Sequence, residues 1–297
     1  MASLGHEVTT IRLKNKSSSG KIDIKEVSGD YELVWLLSPA YVHNGVITKN
    51  ALDYLRKRDV PIAVYATFLT SVPYCDMMET WEKIDFCFLM NKEAANFLSS
   101  QGLGGHYMPM GFHPDQYYPV NLPNRYEVSF MGTAQSSAGK GEDKRVNYIK
   151  GLMGHVDVSL FGGRYKGKGL KGTLYSTHKE QREVYSSSKI NLDLPFVNSS
   201  NPFYSDKLHI KNRFFEIAAS KGFMITARHP DFEEVFDENM VGYYDDLDSL
   251  VDICKHYLNN GEERERMSKL LYNSSLKHTY RDRFMDMFRI IKGEENG

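Results

Sequence analysis

The sequence is poor in cysteine, in long apolar runs and in net charge. Its three cysteines in 297 residues, Cys75, Cys87 and Cys254, are odd in number and scattered, which excludes a disulfide-stapled scaffold and a C-x-x-C metal site. The longest apolar stretches, 34–37 and 86–90, fall far below the roughly 20 residues of a membrane helix. Residues 1–7 lack the basic and apolar parts of a signal peptide, so a reducing cytoplasm is the expected location. With 37 Lys and Arg against 38 Asp and Glu, a globally basic nucleic-acid binder is excluded as well. The balance conceals one patch: residues 139–182 carry ten Lys or Arg against four acids, six positive charges in excess.

What the sequence does contain is alternation. Short runs rich in β-branched and aromatic residues (8–13, 33–38, 62–67, 86–90, 106–108) are separated by helical spacing at 49–57 and 92–100, the pattern of β-α units around a parallel sheet. Pro109, Pro114, Pro119 and Pro123 then crowd into 15 residues, a density that no helix or central strand tolerates. A second series follows, with strands at 128–131, 156–161, 190–194 and 223–226. Helices are expected at 144–152, 178–187, 211–220, 247–258 and 262–291. The expected fold is therefore α/β: two Rossmann-like doubly wound domains, 1–118 and 119–297, facing a cleft where such sheets bind ligands. The first domain is expected to lack the opening strand and Gly-rich turn of that plan, since residues 1–9 read as the end of a helix running into a strand.

Two segments carry chemistry. Phe130-Met131-Gly132-Thr133 ends a strand, and a Gly-rich loop leads to a helix beginning near Glu142, so free amides, a helix dipole, Lys140, Lys144 and Arg145 could cradle a diphosphate. The loop matches neither G-x-G-x-x-G nor G-x-x-x-x-G-K-[ST], which excludes a standard dinucleotide or P-loop site. Downstream, Lys211-Asn212-Arg213-Phe214-Phe215-Glu216 starts a helix with Arg213 and Glu216 three apart on one face. A cation there suits phosphate and a carboxylate suits two sugar hydroxyls; an intrahelical salt bridge is the competing reading.

These motifs, together with Tyr185-Ser186-Ser187-Ser188-Lys189-Ile190-Asn191-Leu192, Val241-Gly242-Tyr243-Tyr244-Asp245-Asp246-Leu247 and His278-Thr279-Tyr280-Arg281-Asp282-Arg283, resemble the CgeB-like glycosyltransferases over about residues 125–290. The linker Tyr107-Met108-Pro109-Met110-Gly111-Phe112-His113-Pro114-Asp115-Gln116-Tyr117-Tyr118-Pro119 is similar too. The resemblance implies a GT-B fold and transfer from a nucleotide diphosphate sugar, UDP-hexose first, to a hydroxyl acceptor. It also implies retention, and neither a metal nor a permanently bound cofactor. Glu216 would take the donor ribose, while Arg213 or Arg145 and the Gly132 and Thr133 amides hold the diphosphate. Lys140, Gly162, Lys189, Asn191, Lys211 and Asn212 complete the implied donor-binding set, and His43, Asn44 and Thr67 are the acceptor-side candidates. The family's second glutamate, eight residues before Glu216, is replaced by Leu208, with Asp206 or His209 as substitutes. Asp246 or Asp248 is read as a helix cap rather than a metal ligand. A nucleotide-sugar epimerase and a non-catalytic nucleotide-sugar-binding protein are the alternatives. The acceptor is open among polysaccharide, protein, small molecule and a hydroxymethylated DNA base, the last because Lys166, Lys168 and Lys171 could track phosphates.

Overall fold

The computed structural model describes residues 1, 4–10, 21–38, 42, 44–66, 78–134, 144–165, 167–175, 177–194, 210–228 and 230–294. They cluster into two units: the described residues up to Pro109 with 284–294, and the described residues from Met110 to Arg283.

The first unit runs α1 (Ile24–Val27), β1 (Val34–Leu36), α2 (Lys49–Lys57), β2 (Ile62–Ala66), α3 (Met78–Trp81), β3 (Phe86–Leu89), α4 (Lys92–Ser100) and β4 (Gly105–Tyr107). Its four strands are parallel in the order β1-β2-β3-β4. Every residue of β2 is buried, as befits a strand inside a parallel sheet. Helix α2 starts where the Thr48 hydroxyl accepts the Ala51 amide (3.2 Å), and it buries Ala51, Leu52 and Leu55, one stripe of a 3.6-residue period. Asn91 caps α4 in the same way, accepting from Ala94 N at 2.8 Å. Phe284 of the C-terminal segment packs on Trp35, which stacks on Phe88.

The second unit contains β5 (Tyr126–Met131), α5 (Lys144–Met153), β6 (Val158–Phe161), α6 (His178–Ser187), β7 (Ser188–Asp193), α7 (Asn212–Ala219), β8 (Met224–Ala227), α8 (Pro230–Val235), a 3-10 turn (Glu238–Met240) and β9 (Gly242–Tyr244). Three helices follow, α9 (Leu247–Asn259), α10 (Gly261–Ser275) and α11 (Tyr280–Ile291), the last continuing into the first unit from Phe284. The sheet is parallel throughout, in the order β6-β5-β7-β8-β9. Side chains alternate across it. Val128, Phe130, Ile190, Leu192 and Ile225 pack with α5 and α9, whereas Met131, Phe161 and Met224 pack with α6, α7 and α10.

The two parallel-sheet α/β units match the alternation in the sequence. Three details differ. Residues 8–10 lie outside any strand, and 11–13 lie outside the described residues. Gly242-Tyr243-Tyr244 forms an edge strand too short to show a period of two. The segment 262–291 divides into two helices at the turn His278–Thr279, which bridges Phe112: the Phe112 N–H donates to His278 O at 3.3 Å and the Tyr280 N–H donates to Phe112 O at 3.0 Å. Asp246 is the N-cap of α9, accepting from Ser249 N at 2.8 Å.

Gly104 tests the packing of the first sheet. A Cβ there would overlap the carbonyl oxygen of Asp85, and the neighbouring backbone is pinned by the Cys87 N–H donating to Gly104 O at 2.6 Å. Gly104→Ala is expected to cost about 2 kcal/mol, lowering the urea midpoint without changing the slope.

Candidate functional site

Parallel sheets gather their strand ends and helix starts at one edge, and here β5, β7 and α7 contribute Gly132-Thr133, Asp193-Leu194 and Lys211-Asn212-Arg213. Arg213 holds them together. Its Nε and Nη2 donate to Asp193 Oδ1 at 3.1 and 2.6 Å, and its Nη1 donates to the Met131 carbonyl at 2.7 Å. Asp193 is fully buried, and Thr226 Oγ1 donates to its second oxygen at 3.1 Å.

A second guanidinium lies beside the first. Arg145 donates from Nη1 to Thr133 O (2.7 Å) and from Nη2 to Leu194 O (3.1 Å). The Phe130 ring carries both groups, 5.5 Å from Arg145 and 5.0 Å from Arg213. Lys211 is the third cation. Burial first, then the charges of Arg145 and Arg213, push its pKa down to about 7, against a smaller pull upward from Asp193. Three cations therefore share one edge with Asp193 and, beside Arg213, Glu216.

Two glycines allow the turns to approach. A Cβ on Gly132 would lie 2.9 Å from Arg213 Nη1, and one on Gly162, at φ 128°, would overlap the Gly132 carbonyl. Tyr165, buried in the loop after β6, donates its hydroxyl to that carbonyl at 2.8 Å.

Glu216 lies one turn along α7. Asn212 Nδ2 donates to its Oε1 at 2.9 Å and the Tyr185 hydroxyl approaches Oε2 at 3.5 Å. Burial raises the carboxyl pKa, while Arg213, hydrogen bonding from Tyr117 and His178 act in the opposite direction. Tyr117, from the Pro-rich linker, is itself bonded to His178 and Gln181 of α6.

The structure thus brings together Gly132, Thr133, Arg145, Gly162, Lys211, Asn212, Arg213 and Glu216. It differs from expectation in how some are used. Arg145 and Arg213 direct their donors inward, and the Gly132 amide donates to Phe161 O at 2.8 Å, which leaves Thr133, exposed, and Lys211, half-buried, as the groups nearer solvent. Lys189 and Asn191 do not join the site. Lys189 lies at the start of β7, where it meets Glu127 at 3.4 Å, and Asn191 is buried within the sheet, donating to the Tyr185 and Phe223 carbonyls. Asn44 is an exposed turn residue of the first unit. His43, Thr67, Lys140, Asp206 and His209 lie outside the described residues. Sequence reasoning missed Asp193, Thr226 and Tyr165. An acid closing the apolar run Ile190-Asn191-Leu192-Asp193 was the available signal for the first, since such a group is buried only when paired.

Among the described residues no group of three or more His, Cys, Asp or Glu side chains is placed to hold a metal ion, and no helix is long and apolar enough to cross a membrane.

Two successive parallel-sheet α/β units, of four and five strands, match the fold of GT-B glycosyltransferases of known structure. Residues 145–289 match the family model described as glycosyl transferase-like. No curated protein sequence matches the chain. Among solved structures, sucrose-phosphate synthase from Thermosynechococcus elongatus superposes with a TM-score of 0.65 at 12% identity, over 91% of this chain and 75% of that one. The Anabaena protein HepE in complex with UDP-glucose gives 0.65 at 7% identity, over 91% and 81%. The trehalose 6-phosphate synthase of Burkholderia multivorans gives 0.61 at 13% identity, over 91% and 74%.

Asp193→Ala is expected to cost about 3–5 kcal/mol in urea unfolding, because it leaves Arg213 as a buried charge without its partner. Lys211 supplies a pH signature. Its folded pKa of about 7 lies below the unfolded value, so between them the unfolded chain holds a proton the folded one lacks, and this contribution to stability rises with pH. Lys211→Met should flatten the rise in urea midpoint between about pH 7 and pH 9 relative to wild type.

Proposed function

We propose that the second unit binds a nucleotide diphosphate sugar, UDP-hexose first, and that the protein transfers the sugar to a hydroxyl acceptor as a CgeB-like retaining glycosyltransferase. The observation that carries the reading is the convergence of Arg145 and Arg213 on the end of β5 at Met131–Thr133, with Lys211 beside both guanidiniums. A diphosphate would offset the excess of cations over Asp193 and Glu216 at this edge. The bound UDP-glucose of the similar HepE supports the choice of donor, and a similar trehalose-6-phosphate synthase has been used to study glycosyl transfer with retention.

In this reading the Thr133 amide and Lys211 meet the phosphates, while Arg145 and Arg213 act from behind as fixed charges. Glu216, aimed by Asn212 and Tyr185, accepts the two ribose hydroxyls. The sugar C1–O bond to phosphate breaks as the bond from C1 to the acceptor oxygen forms on the same face, and the departing phosphate oxygen takes the acceptor's proton. Charge growing on that oxygen is stabilised by cations already in place, which costs no reorganisation during the step. Lys and Arg supply the neutralisation in this scheme, and no resident cofactor is invoked.

A donor screen by nucleotide release with UDP-, GDP- and dTDP-sugars, followed by mass spectrometry of the acceptor products, tests the assignment. Glu216→Gln should lower kcat/KM about a hundredfold while the protein stays folded, and a wild-type rate in that variant overturns the reading. Donor affinity should pass through a maximum with pH. It weakens above about 7 as Lys211 loses its proton. It weakens on acidification earlier than for an ordinary glutamate, because burial raises the pKa of Glu216. Isothermal titration with UDP across that range checks both limbs, and Glu216→Gln should lose the acid one.

A further inference from the structure

The chain's near-neutral total divides unevenly. Residues 144–175 hold seven Lys or Arg and one acid, an excess of six positive charges, which leaves the remaining residues seven negative. Most of that excess belongs to a single loop, the 162–172 excursion after β6. Its base is closed by Gly162 N–H donating to Thr173 O and Thr173 N–H donating to Leu160 O, both at 2.8 Å. Inside, the Lys168 amide turns back onto Tyr165 O at 3.0 Å, and Arg164, Gly167 and Gly169 take positive φ values of 64°, 78° and 68°.

The loop sorts its side chains. Tyr165 is buried and bonded to Gly132 O, and Leu170 packs on the core, so the apolar members point inward. Arg164 and Lys171 are exposed and Lys168 is half-buried. Helix α5 adds to the same surface, since Lys150 Nζ lies 3.8 Å from where a Cβ on Gly169 would stand. The nearby acids mark its border: Glu180 is bonded to Thr177 and Glu183 faces Lys179 at 3.9 Å, both on α6. Asp157 precedes the opposite end of β6.

The geometry points to a docking surface for duplex nucleic acid, formed by Lys150, Arg164, Lys168 and Lys171 and read through the phosphate backbone. Single-strand binding needs exposed aromatic platforms, and the aromatic ring of this loop is turned inward. Bilayer insertion needs an apolar tip, and here the tip is Gly167-Lys168-Gly169. A duplex hides its bases and presents regularly spaced phosphates, which cations without stacking partners can follow. Tyr165 ties the loop to the Gly132 carbonyl, the turn that meets the donor in the proposed reaction. On that reading the docked polymer carries the acceptor hydroxyl; the docking itself does not depend on it.

Fluorescence anisotropy with a labelled duplex of about 20 base pairs and arbitrary sequence tests the surface. With four phosphate contacts the affinity should fall roughly a hundredfold between about 50 and 200 mM salt, independently of sequence. The triple variant Lys150→Glu/Arg164→Glu/Lys171→Glu should lose most of the binding and of the salt slope, while retaining the wild-type melting temperature and UDP affinity. Three results overturn the proposal: no duplex binding by wild type at low salt, an unchanged slope in the variant, or binding to phosphatidylglycerol vesicles in place of the duplex. Failed docking with intact UDP binding counts against the surface alone, and docking without donor binding or transfer counts against the proposed reaction alone.

Discussion

The ion pair between Arg213 and Asp193 is the constraint on which the second unit's carboxyl edge depends. Asp193 is fully buried and Arg213 nearly so, and a pair in such surroundings persists only when every donor and acceptor is satisfied. The satisfaction comes from three elements: the end of β7, the end of β5 through Met131 O, and β8 through Thr226. Breaking the pair would release all three. Buried ion pairs often stabilise no more than well-packed apolar residues, but this one ties the first turn of α7 to the ends of β5 and β7, and with it the positions of Lys211, Asn212 and Glu216.

The surrounding turns follow from that fixed point. Gly132 has no side chain because Arg213 Nη1 occupies the space, and Gly162 has none because the Gly132 carbonyl does. Tyr165 closes the sequence of contacts by bonding that same carbonyl. The basic loop after β6 is therefore anchored to the ion pair through two glycine turns and one phenol. On the other side of α7, Tyr117 connects the Pro-rich linker to α6 and to the surroundings of Glu216. Movement of the linker would be felt at the carboxylate without any direct contact to a substrate.

Periodicity made most of this fold legible. The buried runs at β2, β3, β5 and β7, the helical spacing of α2 and α4 and the cap at Asp246 are local signals, and the structure places elements where they lie. Residues Gly132, Arg145, Arg213 and Glu216 were legible through their motifs, but their division of labour was not. Whether a guanidinium points at solvent or at a carbonyl depends on which strand ends lie beside it, which is a matter of strand order. Lys189 and Asn191 illustrate the limit. They belong to the same strand as Asp193, yet Lys189 sits nearly its full length away and Asn191 is consumed by neighbouring carbonyls. A short strand such as β9 has no period to read.

A site of this kind works against its own stability. Arg145, Arg213 and Lys211 are like charges on one edge, and the two guanidiniums add to the effect of burial in lowering the pKa of Lys211. An anionic ligand reverses the balance. It would favour the charged form of Lys211 and turn the repulsion into binding energy, so ligand affinity and folded stability would rise together by mass action. The surplus is affordable because Asp193 and the carbonyls of Met131, Thr133 and Leu194 offset part of it permanently. A stronger internal offset would yield a more stable protein with less attraction for a diphosphate, and a weaker one would leave Arg213 without the partners that hold α7 in place.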